Sequence, residues 1–156
     1  MRPRIHLALV DDWEVRGNDS GDPRILQFAP MRLLTEIYAK HGIRGSFNVA
    51  VMQQLTYRDF EGRFPESRTV TDEWERVVTD SFRHGHDVRL RLHPRWTAPK
   101  GEGRWKLHGA WSIINYSPQQ IRDLRLRGKQ YLETLLRKID SAGSAGPNPA
   151  TDLMSV

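Results

Sequence analysis

The alternation of apolar and polar positions is clearest over residues 85–96, G-H-D-V-R-L-R-L-H-P-R-W. Val88, Leu90 and Leu92 alternate with Arg89, Arg91 and His93, the period of two that marks a strand with unlike faces. Pro94 has no amide to donate to a ladder, so it marks the strand's exit and leaves His93 at the strand's C-terminal end, beside a loop. In parallel α/β sheets that end is where active sites are built.

The rest of the chain supplies a β-α-β-α rhythm around this strand. Residues 5–10 form a nearly continuous apolar run ending at Asp11 and Asp12, which predicts a strand buried on both faces. A turn-rich stretch at 17–23 precedes a helix that opens near Pro30, carries Leu33, Leu34, Ile37 and Tyr38 on one stripe, and closes at Gly42. Residues 45–49 predict a second strand, followed by a short helix through Met52 and Leu55. Residues 57–68 mix charges, aromatics, Gly62 and Pro65, and read as a surface excursion. The next helix, with Thr69 or Thr71 as N-cap, places Trp74, Val77, Val78 and Phe82 on one face. After the strand of His93, residues 95–111 form a long loop. Ser117, Pro118 and Gln120 then provide a cap, a first-turn proline and a capping box for an amphipathic helix reaching about Lys138. These elements predict one α/β domain over residues 1–140 with parallel β/α units, and residues 141–156, rich in Gly, Ser, Ala and Pro, as a disordered tail.

Composition narrows the function classes. With 38% hydrophobic and 28% charged residues, the 156-residue chain reads as soluble and globular, long enough for one domain. The first apolar run is broken at Asp11 and Asp12, too short for a signal core or a membrane span, and the absence of cysteine excludes a disulfide framework; the cytoplasm is the expected compartment. The net charge of +5 comes from basic residues interspersed with 19 acidic ones and without an aromatic–basic repeat, which points away from nucleic acid and from membrane surfaces as partners.

If the strands run parallel, Asp11 and Asp12 share one rim of the sheet with His93. A divalent ion takes imidazole and carboxylate ligands, and a neighbouring carboxylate can act as base toward the water such an ion activates. The same acidic pair can also simply cap a loop. His6 reads as a core histidine, His41 and His84 as helix-end residues, and His86 as part of a helix-to-strand loop. Trp96, Trp105 and Trp111 either stack on a sugar ring or pack the long loop onto the sheet. Glu14 and Arg16 either orient a substrate or are solvated.

Three stretches together, L-V-D-D-W-E at 9–14, H-G-I-R-G-S-F-N at 41–48 and the 85–96 motif, resemble the polysaccharide deacetylase family, carbohydrate esterase family 4, over roughly residues 5–139. The resemblance implies a distorted (β/α) barrel, of which this chain spans the N-terminal half, since a complete barrel takes about 250 residues. It also implies a Zn²⁺-type ion held by an aspartate and two histidines, with hydrolysis of an N-acetyl group on a carbohydrate substrate. By position, Asp11 corresponds to the base and Asp12 and His93 to metal ligands, while Trp13, Glu14, Arg95 and Trp96 stand beside them as candidate substrate contacts. The chain departs from the family's L-H-L-H-P at Leu90-Arg91-Leu92-His93-Pro94: Arg91 takes the place of an imidazole, and a guanidinium has no lone pair for a metal. The family's later motifs, a strand-end arginine and a catalytic histidine, have no counterpart. The expectation is an impaired or inactive deacetylase-like chain, with exposed sheet edges open to pairing between copies. The alternative is a non-catalytic module in which Arg89, Arg91 and Arg95 form a cationic rim for an anionic glycan or phosphate.

Overall fold

The computed structural model describes residues 7–15, 21–62, 66–97 and 112–142. Three parallel strands, β1 (Val10–Trp13), β2 (Ser46–Ala50) and β3 (Asp87–Arg91), form one sheet in the order β1-β2-β3. The helices are α1 (Ala29–Lys40), α2 (Val51–Asp59), α3 (Glu66–Arg83) and α4 (Pro118–Ala142). The class is α/β with parallel strands, as the sequence pattern implies. The sheet is open, and a closed barrel is not formed by the described residues.

Register and alternation divide the sheet into two unlike faces. Asp11, Phe47 and Val88 are aligned across the strands, as are Trp13, Val49 and Leu90. This is the apolar face: Phe47, Val49 and Val88 are essentially fully buried, and Trp13 stacks on Phe47 with ring centroids 3.9 Å apart. Helices cover it, with Tyr38 of α1 stacked over Phe47 and Gly128 of α4 against Leu90. Val10, Ser46 and Asp87 align on the opposite face, as do Asp12, Asn48 and Arg89, with Arg91 beside Ala50. That face is polar and largely open among the described residues; Val10 is 59% exposed.

The first strand therefore corrects the sequence expectation. Pairing begins only at Val10, after the amide of Ser46 donates to the Leu9 carbonyl at 2.9 Å, and Leu7 is exposed. Among the described residues of the apolar run, Leu7 to Val10, only Val10 is in a strand, and none is buried; Asp11 and Asp12 lie inside β1 instead of beyond it. Asp12 is tolerated there because its face of the sheet is polar and offers partners. His6, Arg16, His108, Trp105, Trp111 and residues 143–156 lie outside the described residues.

Helix boundaries shift for similar reasons. A π-helical turn, Arg24–Phe28, runs into α1 and starts that helix earlier than Pro30 suggests. Tyr57 is buried within α2, and α3 begins at Glu66, so both ends of the expected surface excursion are helical. Thr71 is not a cap: it is inside α3, fully buried, with its hydroxyl 2.5 Å from Glu61 Oε1. Trp74 and Val78 join the core as expected. α4 begins with the anticipated capping box: the Ser117 amide donates to Gln120 Oε1 at 2.8 Å, and the Gln120 amide donates to Ser117 Oγ at 3.2 Å. No helix of the described residues is long and apolar enough to cross a membrane.

Candidate functional site

At the C-terminal rim of the sheet, the polar face brings together Asp12, Asn48, Arg91, Glu14 and His93. Two segments fix it. Beyond β1, the Val15 amide donates to Gln53 Oε1 at 3.0 Å, and Gln53 donates to Gln27 Oε1 at 2.8 Å; both glutamines are buried. This chain of amides holds the backbone on which Glu14 projects. Beyond β3, the helical turn Pro94–Thr97 is tied down by Thr56, whose hydroxyl donates to the Trp96 carbonyl, and by Tyr116, whose hydroxyl donates to the Pro94 carbonyl. That turn fixes His93.

Within the cluster every charged group has a partner. Arg91 Nη1 donates to Asp12 Oδ2 at 2.5 Å, and Asn48 Nδ2 donates to Asp12 Oδ1 at 3.0 Å, so both oxygens of Asp12 are engaged. Arg91 Nε lies 3.3 Å from Glu14 Oε2, close enough for charge pairing but without hydrogen-bond alignment. The same Glu14 oxygen meets His93 Nδ1 in a short hydrogen bond. The Glu14 and His93 side chains are only 15% and 16% exposed, so their contact is shielded from water.

The other candidate residues are placed elsewhere. Asp11 aligns with Phe47 on the helix-covered side, away from the cluster; its charge, after burial, helps push the Tyr38 hydroxyl up. Trp13 and Trp96 are core residues, 5% and 1% exposed, Trp13 under Phe47 and Trp96 tilted against Tyr57. Rings so enclosed do not offer a face to a sugar, which corrects their reading as substrate contacts. Arg95 belongs to the turn after His93, and its side chain lies outside the described residues. Glu14 is neither solvated nor free for substrate; it is the carboxylate that reaches His93, where Asp12 was expected. Asn48 joins the site without a motif of its own: its only sequence signal is its place two residues after Ser46 on a half-polar strand, which puts it on the same face as Asp12.

The donor set does not fit a divalent ion in this arrangement. A cation approaching Asp12 would meet a permanently charged guanidinium already 2.5 Å from that carboxylate. Among the described residues, no three His, Cys, Asp or Glu side chains are arranged to hold one. An anion-binding rim is not favoured either, because Arg89 pairs with Asp87 at 2.5 Å and Arg91 with Asp12. The arrangement is an ion-pair cluster in which two carboxylates share one guanidinium, open to solvent on one side. No family model, curated protein or solved structure matches this chain.

Proposed function

We propose that this chain is a polysaccharide deacetylase-like β/α unit that recognises carbohydrate without hydrolysing it. The single observation that carries the reading is Arg91, whose guanidinium lies against Asp12 and Glu14 in the position where the resembled motif has an imidazole. The ancestral chemistry is release of acetate from an N-acetylated sugar with a Zn²⁺-type ion. In this chain Arg91 supplies the positive charge that Asp12 would otherwise find in the ion, so the hydrolytic step is lost. What supports the carbohydrate part is the order of the three resembled stretches, together with a polar rim of amide, carboxylate and imidazole groups that suits neutral hydroxyl-bearing ligands better than anions.

The test pairs an acetate-release assay on an N-acetylglucosamine oligomer, with Zn²⁺ added, with a binding titration of the same oligomer. Binding without acetate release is the expected result. Turnover by the unmodified chain would overturn the silent site, and absence of binding would overturn the carbohydrate reading.

A further inference from the structure

At the opposite end of the sheet from this cluster, a buried histidine joins β2 to β3. His86 is 4% exposed, enclosed between Phe47, which meets it edge-on at 5.0 Å, and Tyr38 at 5.8 Å. Its Nδ1 accepts the amide of Gly45 at 3.2 Å. A backbone amide can only donate, so Nδ1 must carry a lone pair, the proton sits on Nε2, and the ring is neutral. Nε2 is itself buried without a partner among the described residues. The neighbouring Asp87 amide donates to the Gly45 carbonyl at 2.9 Å, so both backbone groups of Gly45 are held by the start of β3. Gly45 is required there, because a Cβ would lie 2.5 Å from the Tyr38 ring.

We propose that His86 is a proton-operated latch: neutral, it clasps the Gly45 amide and closes the N-terminal ends of β2 and β3 together; protonated, it releases them. A proton on Nδ1 would face the Gly45 N–H, donor against donor, and would place a cation in an aromatic slot. The surrounding groups favour the neutral ring. Arg44, from the connection before β2, packs over the Gly85 turn, and His84 lies on the α3 side, its Nδ1 on the Asp80 carbonyl. The nearby acids are engaged elsewhere: Asp80 with Arg83, and Asp87 with Ser46 and Arg89. Asp11 of β1 acts on Tyr38, the one titratable group of α1 in contact with the ring. Burial first, then His84 and Arg44, hold His86 below the ordinary histidine value of 6.5. Below 6.5 the unfolded chain therefore binds more protons than the folded one. The latch is at full strength above 6.5 and weakens as the pH falls from 6.5 toward the lower value at which the folded ring titrates.

The experiment is ¹⁵N NMR of the full chain from pH 7.5 to 5, following the His86 ring nitrogens and hydrogen–deuterium exchange at the Gly45 amide. The expected result is an Nε2–H tautomer at neutral pH, a midpoint below 6.5, and an intrinsic-rate-corrected protection factor at Gly45 that falls at least about fivefold from pH 7 to 5. His86→Phe keeps the slot filled and should leave Gly45 weakly protected with no pH dependence. A midpoint at or above 6.5, protection that ignores the ring's titration, or pH dependence surviving in His86→Phe would each overturn the latch. If that variant does not fold, the wild-type titration decides alone.

Discussion

Arg91 and Asp12 keep about a third and a half of their side chains in solvent, 31% and 49% respectively. Ion pairs this exposed contribute roughly 0.2–1 kcal/mol to stability, because water already screens much of the attraction. The cluster is therefore not what holds the fold together; its consequence is for which ligands the rim accepts. A double-mutant cycle with Asp12→Asn and Arg91→Met, read by urea unfolding, should give a coupling of about 1 kcal/mol or less. A much larger coupling would make the pair a stability element and remove the argument that Arg91 can be changed without harming the fold. The identity of Arg91 and its place on the face of His93 were legible from spacing alone. The partner of His93 was not. Glu14 reaches it because β1 runs on through Asp11 and Asp12 to Trp13, and that extent depends on pairing with β2, a tertiary fact.

At the scale of elements, the best-read segments were those whose local chemistry and tertiary role agree. β3 alternates cleanly because one face is covered and the other open, and α4 begins where Ser117, Pro118 and Gln120 place it. β1 misled because hydrophobicity without alternation does not say which residues pair, and α3 misled because Thr71 is a good cap by type yet is buried inside the helix. Gly128 marks a close contact between α4 and the sheet. A Cβ there would lie 3.0 Å from Leu90 Cδ1 and 3.2 Å from Met52 Cε, so α4 is seated closely on β3. Gly128→Leu gains helix propensity of about 1 kcal/mol but has no room for its side chain. Overpacking outweighs the gain, and we expect a net destabilisation of about 1–3 kcal/mol in thermal or urea unfolding. An unchanged or raised midpoint would mean that α4 stands farther from the sheet.

Among the described residues, the molecule is a sheet with one face sealed by helices and the other left polar. Burial of Phe47, Val49, Val88 and Trp74 accounts for the sealed side. Among the described residues, the charges on the open side pair with one another: Asp12 and Glu14 with Arg91, Asp87 with Arg89. The chain's excess of positive charge is thus not concentrated on this face, which is why its net charge does not foretell its ligand. The account rests on Arg91 occupying the place of a cation. The most direct measurement is calorimetric titration of Zn²⁺ into the unmodified chain and into Arg91→His. The account predicts no binding by the unmodified chain at tens of micromolar, and at least about tenfold tighter binding by the variant, in which Asp12, His93 and the new imidazole supply three ligands. Tight binding by the unmodified chain, or no gain in a folded Arg91→His, would contradict it.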